Sequence, residues 1–304
     1  MTLLDEVLEL RNLTCAWDTV AENDGIPGTD AISIVRWRRN WEERLVNLAQ
    51  SVRCNHYYPH KLRVRRIPKR NNRGFRTLRI PTVTDRVLQR ACSQILMPFF
   101  EPKFLDCSFG YRPGIGLRDA VQKIIVLREN EQHYVLNADI DAFFDSVDHE
   151  LLLRFLQDDL PDESLLPLIE RWMHIGSTSV KRTLGIPQGS PLSPLLANIY
   201  LHRFDLSMCA NRLNLVRYAD DFVILCESSS QAERSKEVVK IALTELELQL
   251  EPSKTFLSSF EEGFEFLGVW FERDEYSYKW KDKKITVTGD EVDYLFSKYG
   301  GGYN

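Results

Sequence analysis

Residues 213–226 read LNLVRYADDFVILC. Leu, Val, Ile, Phe and Tyr dominate this run, as in a strand packed on a core, yet two adjacent carboxylates, Asp220 and Asp221, interrupt its centre. A β-hairpin accommodates both facts: LNLVRYA and FVILC form the strands, and the aspartates sit at the tip. Two carboxylates that close repel each other, and their pKa values rise unless a cation neutralises them. A divalent cation is the simplest neutraliser, and Mg²⁺ is commonly held by one or two carboxylates together with substrate phosphates. Paired aspartates in turns mostly do no more than solvate the turn, so the surroundings must decide.

A third acid, Asp139, ends the strand-like run HYVLNADI, ahead of DAFFDSVDHELLLRFLQDDL. Three acids at the mouth of one sheet suffice to hold two ions about 3.5–4 Å apart, the arrangement that serves in-line nucleotidyl transfer. Asp141, Asp145 and Asp148 lie nearby but fit turn and cap roles, Asp148 as the cap of a helix.

Farther out, KLRVRRIP alternates basic and apolar residues with the period of a half-buried strand. RNNRG is a turn and TLRIP the returning strand, which makes a basic hairpin. Asp85 is expected to N-cap the helix DRVLQRACSQILMPFF. WRRNWEERLVNLAQSV carries Trp37, Trp41, Leu45 and Leu48 at helical spacing, and LRDAVQKIIVLREN and SSQAERSKEVVKIALTELELQL are amphipathic helices. GIPQGSPLSPLLANIYLHRF reads as a tight glycine turn and a long helix started by Pro191 and Pro194. GFEFLGVWFERDEYSYKW reads as a final hairpin. This order of elements implies an α+β sheet backed by helices and not alternating βαβ units.

The 304 residues exceed what one compact core usually holds, so one large mixed domain or a few subdomains are expected. With 43% hydrophobic and 27% charged residues, general disorder is excluded. The formal charge of −5 argues at first against a polyanionic partner. Its distribution argues for one, because residues 61–90 carry eleven Lys or Arg against the single acid Asp85, whereas residues 227–275 carry twelve acids and five bases. The six cysteines lack C-x-x-C or metal-ligand spacing and read as reduced, mostly buried thiols. No run approaches the roughly 18 apolar residues of a membrane span, and the N-terminus lacks a signal-peptide pattern, so a cytoplasmic location without membrane contact is expected.

In order along the chain, AENDGIPGTD, IPKRNNRGFRTLRIPTVTDRVLQRA, FEPKFLDCSFGYRPGIGLRDAV, ADIDAFFDSVDHELL, GIPQGSPLSPLLANIYL, RYADDF, LELQLEPSKT and FLG match successive motifs of one family. The chain resembles bacterial reverse transcriptases of the group II intron type, over about residues 11–268. The resemblance implies an α+β right-hand polymerase fold with fingers, an antiparallel palm sheet backed by helices, and a short or absent thumb. Residues 1–120 would form the N-terminal extension and fingers, 121–268 the palm, and 269–304 a C-terminal hairpin or partial thumb. It implies RNA-directed DNA synthesis at a primer 3′-hydroxyl with two Mg²⁺ ions, or Mn²⁺ in their place.

Carried over by position, Asp139, Asp220 and Asp221 become metal ligands together with the Ile140 carbonyl, and Lys254 becomes the proton donor to leaving pyrophosphate. Lys69 and Arg76 would grip the triphosphate, with Arg79 and Arg86 as weaker candidates for template backbone. Phe144 would be the steric gate against a ribose 2′-hydroxyl, Phe143 a core residue, and Tyr218 either a support for the primer end or packing. Gln188 and Gly189 would lie along the incoming nucleotide and template. Implied partners are an RNA template, a DNA or RNA primer, deoxynucleotide triphosphates, and a CRISPR adaptation integrase or another defence protein. Two competing readings use the same residues: template-independent or protein-primed DNA synthesis, and a catalytically silent RNA-binding scaffold.

Overall fold

A computed structural model describes residues 1–68, 75–175, 183–280 and 283–288. The chain forms α1 (Leu3–Val7), α2 (Leu10–Glu22), α3 (Ile34–Arg38), α4 (Trp41–Arg53), β1 (Arg63–Pro68), β2 (Phe75–Ile80), α5 (Val83–Phe100), α6 (Leu117–Glu129), β3 (Tyr134–Asp139), α7 (Phe143–Ser146), α8 (His149–Asp159) and α9 (Leu166–Met173). It continues with α10 (Ser193–Ala210), β4 (Asn214–Tyr218), β5 (Asp221–Cys226), α11 (Ser229–Glu245), β6 (Phe256–Ser259), β7 (Phe264–Phe266), β8 (Val269–Glu272), β9 (Glu275–Trp280) and β10 (Lys283–Thr288). Two compact units result, one from residues 1–103 with 144–200, the other from residues 104–143 with 201 onward.

The first unit is mostly helical. Trp37 is wholly buried, stacks obliquely on Trp17 with ring centroids 4.4 Å apart, and donates Nε1–H to Thr84 Oγ1 at 3.0 Å. The single helical face read through Trp37 and Leu48 is divided, because Asn40 leaves the helical region of backbone space and α4 starts anew after it. Trp41 is consequently only half-buried, while Leu45 and Leu48 are core.

Thr82, not Asp85, caps α5: Thr82 has extended backbone angles and its side chain accepts the Asp85 N–H. Asp85 lies inside the first turn and is fully buried, accepting from Tyr57 Oη at 2.5 Å, Thr82 Oγ1 at 2.7 Å and the His60 N–H. Trp172 Nε1 in turn donates to Tyr57 Oη at 2.9 Å. Burial raises the Asp85 pKa above 3.8 despite these donors.

The basic hairpin pairs β1 with β2 from Arg63↔Ile80 to Pro68↔Phe75. It is not half-buried as its alternation implied. Val64 and Phe75 share one face of the ribbon and Ile67 lies on the other, each beside arginines, and they are 59%, 63% and 42% exposed, so apolar side chains face solvent on both sides.

The second unit holds an antiparallel sheet in the order β4-β5-β3-β6. Side chains alternate between the faces of a strand, and opposed partners share a face. Val135, Val216, Val223 and Leu225 therefore line one face, where they join Val121, Ile124 and Ile125 of α6 in a buried cluster. On the other face Phe222 packs against Phe204 of α10 at 5.1 Å, and Cys226 meets Ser235 of α11.

The region read as a final hairpin is larger, a four-stranded sheet in the order β10-β9-β8-β7. Its Phe264 and Phe271 stack at 5.0 Å and Phe260 meets both edge-on, which ties this sheet to the same cluster. The cysteines are free as expected, but Cys15, Cys54 and Cys209 are exposed, because each falls on an outward position of a helix end or flank and not on its apolar stripe.

Candidate active site

The β4–β5 hairpin exists and carries both aspartates at its end. Tyr218 pairs with Asp221, and Ala219 and Asp220 make the turn, Ala219 at a left-handed φ of 58°. Asp139, the last residue of β3, lies directly across from Asp221 in the ladder. Cross-strand partners have Cβ atoms about 4.5–5.5 Å apart on one face, so these carboxylates, remote in sequence, are neighbours in space. Asp139 is 6% exposed, Asp221 is open to solvent and Asp220 is half-buried.

Residues 249–254 close the other side of Asp139. The Glu251 N–H donates to the Asp139 carbonyl and the Asp141 N–H to the Gln249 carbonyl, both at 2.9 Å, which leaves Ile140 opposite Leu250 in a pair that does not exchange hydrogen bonds. The Ile140 carbonyl consequently points away from this segment, toward the β5 side. The short turn Pro252–Lys254 then brings the Lys254 ammonium onto Asp139 Oδ2. Burial lowers the Lys254 pKa, but its bond to Asp139 and the charges of Asp139, Asp221 and Asp220 more than offset this, so the group is raised above 10.5 and stays a cation.

Among the described residues no three His, Cys, Asp or Glu side chains are already gathered around one point. The residues nonetheless suit a hard divalent cation. Asp139 Oδ1 is buried and has no hydrogen-bond partner among the described residues, a costly state for a carboxylate oxygen that a cation relieves. Asp221 across the ladder and the Ile140 carbonyl add oxygen donors of the kind Mg²⁺ takes.

The first unit brings together a second group of the sequence-derived residues. Phe144 lies on α7, a single helical turn and not a strand. Phe143 is 1% exposed whereas Phe144 is half-buried. The Phe144 carbonyl accepts the Ile186 N–H at 2.7 Å, which fastens the loop ahead of α10 to α7. In that loop the Gln188 carbonyl accepts the Arg79 N–H at 2.7 Å. Gly189 has φ of 115°, and a Cβ on it would sit 3.2 Å from the Arg79 carbonyl oxygen, so glycine is required there. Ser190 donates to buried Gln89 at 3.0 Å and Ser193 to the Pro187 carbonyl at 2.8 Å, which hold the loop from behind.

Arg76 is exposed on β2 opposite Ile67, and Lys69 lies outside the described residues. Arg79 pairs with Asp145, the residue after Phe144, at 2.7 Å, and Arg86 donates to the Ile26 carbonyl. Tyr218 packs against the cluster under the sheet.

Sequence reading missed Arg217. It lies on the sheet face of Leu215 and Phe222, is 0% exposed, and meets Asp205 of α10 through Nε at 2.7 Å and Nη2 at 2.5 Å. The available signal was parity: in LNLVRYA, Arg217 alternates with Leu215 and so falls on a buried face, where a charge requires a partner. Loss of one member of such a pair costs about 3–5 kcal/mol.

Residues 67–271 match the family described as reverse transcriptase (RNA-dependent DNA polymerase). Over 285 residues the chain is 27% identical to protein YkfC of Escherichia coli strain K12, covering 80% of this chain and 74% of that protein. It is 36% identical over 168 residues to the group II intron-encoded protein LtrA of Lactococcus lactis subsp. cremoris, covering 54% of this chain and 28% of LtrA. The telomerase from Candida albicans, solved with a fragment of telomeric RNA, shares the fold with a TM-score of 0.54 at 14% identity, over 80% of this chain and 50% of that one.

Proposed function

The chain belongs to the reverse transcriptase family of RNA-dependent DNA polymerases, has the fingers-and-palm fold of that family in the group II intron-like form, and on that premise we propose the following chemistry for it. It extends a primer 3′-hydroxyl with deoxynucleotides copied from RNA. The observation that carries this reading is the pairing of Asp139 with Asp221 across the ladder, with Asp220 in the adjoining turn and Asp139 Oδ1 buried without a donor among the described residues.

Reverse transcriptases use divalent metal ions, and our reading is two Mg²⁺, with Mn²⁺ as the substitute, held by Asp139, Asp220, Asp221 and the Ile140 carbonyl. When bound, such ions supply the charge that lowers the pKa of a primer hydroxyl and steadies the leaving oxygen. Lys254, a cation that the three acids keep protonated, donates a proton to departing pyrophosphate. Phe144 excludes a ribose 2′-hydroxyl, Gly189 lets loop backbone approach the nascent base pair, and Gln188 lines the nucleotide. Arg76 and Lys69 bind the triphosphate from the fingers hairpin, where a guanidinium offers bidentate contact.

The substrates in this reading are an RNA template, a DNA or RNA primer and deoxynucleotide triphosphates, in the cytoplasm. A CRISPR adaptation integrase or another defence protein is the proposed protein partner. Residues 1–120 act as N-terminal extension and fingers, residues 121–268 as palm, and residues 269–304 as a C-terminal hairpin or partial thumb.

Primer extension followed by sequencing of the product tests the reading. Products complementary to a supplied RNA are expected. Products of a sequence independent of that RNA would instead favour template-independent or protein-primed synthesis, and RNA binding without product would favour a silent scaffold.

A further inference from the structure

Arg217 makes more contacts than its pairing with Asp205. Nη2 also donates to Ser108 Oγ at 2.7 Å, and Nη1 donates to the carbonyl of Ala219 at 2.9 Å, inside the aspartate turn. The guanidinium thus joins α10, the segment around Ser108 and the turn itself, wholly shielded from water. The backbone repeats the arrangement. The Arg217 N–H donates to the Cys107 carbonyl at 2.7 Å and the Phe109 N–H to the Arg217 carbonyl at 2.9 Å, so residues 107–109 run beside β4. Gly110 then lies so close to the turn that a Cβ on it would come within 2.5 Å of the Ala219 nitrogen.

Ala219 holds a left-handed φ that alanine rarely adopts, and such a conformation persists where its surroundings over-determine it. An apolar filler would occupy the same space without fixing the direction of a carbonyl, because apolar packing is non-directional while a guanidinium fork is not. Lysine has a point charge and no fork, and it cannot reach Asp205, Ser108 and Ala219 together. The burial of the guanidinium lowers its pKa, but Asp205, with smaller contributions from Cys107 and Asp220, more than restores it, so the group remains charged.

We infer that Arg217 is a positioning residue, which fixes Asp220 and Asp221 through its hydrogen bond to the Ala219 carbonyl, with Asp205 and Ser108 aiming the guanidinium. This inference rests on the reading of those aspartates as the catalytic acids.

The test compares wild type with the double variant Arg217→Met/Asp205→Leu, which leaves no unpaired buried charge, and with Arg217→Lys. Thermal unfolding, RNA affinity, kcat and KM for the deoxynucleotide are measured on each. The expected result for a folded variant is kcat lower by about 10²-fold, the cost of roughly an ångström of misplacement, with KM and RNA affinity unchanged. Unchanged kcat in either folded variant overturns the inference.

Nitrogen NMR of the wild type provides a readout that needs no variant. Separate, slowly exchanging Nη signals for Arg217 are expected of a clamped guanidinium, and averaged signals overturn it. Asp220→Asn/Asp221→Asn is run alongside. Full activity there sinks the assignment of the acids, whereas lost activity there beside full activity in the Arg217 variants sinks the positioning role alone.

Discussion

The backbone N–H of Arg79 meets the carbonyl of Gln188 at 2.7 Å, and this bond ties the returning strand of the basic hairpin to the glycine loop ahead of α10. Two features read separately in the sequence, a basic ribbon and a Gln-Gly turn, are one structural piece. The Arg79 side chain extends the link to Asp145, next to Phe144.

Gly189→Ala therefore strikes the junction directly. The new Cβ meets the Arg79 carbonyl at 3.2 Å and the φ of 115° is unfavourable for alanine. The expected loss is about 1–3 kcal/mol of stability, read as a lower midpoint in denaturant, with a raised KM for deoxynucleotide. Wild-type stability and KM would contradict the assignment of the loop.

Phe144→Ala removes the half-buried ring and leaves Phe143 in the core. Ribonucleotide incorporation is expected to rise by about 10-fold or more relative to deoxynucleotide, an effect of roughly 1.4 kcal/mol, measured by competing the two triphosphates. A deoxy preference equal to wild type would remove Phe144 from the gate.

Lys254→Ala should lower kcat for single-nucleotide addition by about 10²-fold, within the range that a positioned proton donor contributes, and Lys254→Arg should restore only part of it. A full rate in Lys254→Ala would leave the lysine as a mere counter-ion of Asp139.

Asp85 carries a pH dependence of folding. Its folded pKa is raised by burial above the ordinary 3.8, so the native state binds this proton more readily than the unfolded chain. The sign follows: as pH falls through the folded pKa toward 3.8, wild type gains stability relative to Asp85→Asn, and below 3.8 the difference stays constant. Urea titrations of both proteins across this range measure it, and a gain on raising the pH would contradict the stated environment.

Much of this arrangement was legible in the residues. The DD hairpin, the strand ending in Asp139, the helix capped by Asp148 and the long helix after Pro191 all follow from local pattern and turn chemistry. What local pattern cannot carry is partnership between distant segments. Alternation in KLRVRRIP fixed a strand but not which face would be covered, and both faces are open. Asp85 has the chemistry of a cap, and the buried Tyr57 and Trp172 contacts that claim it come from elsewhere in the chain. Arg217 looked like one more basic residue because Asp205 and Ser108 are brought to it only by folding.

The central claim is that Asp139, Asp220 and Asp221 act together on a primer end. Its most direct test is the rate of adding one deoxynucleotide to an RNA-templated primer by wild type, Asp139→Asn and Asp220→Asn/Asp221→Asn, at equal RNA occupancy. The expected result is a loss of at least about 10²–10³-fold in each variant with RNA affinity retained, as follows from removing preorganised charge around a reacting centre. Addition at the wild-type rate by either variant would contradict it.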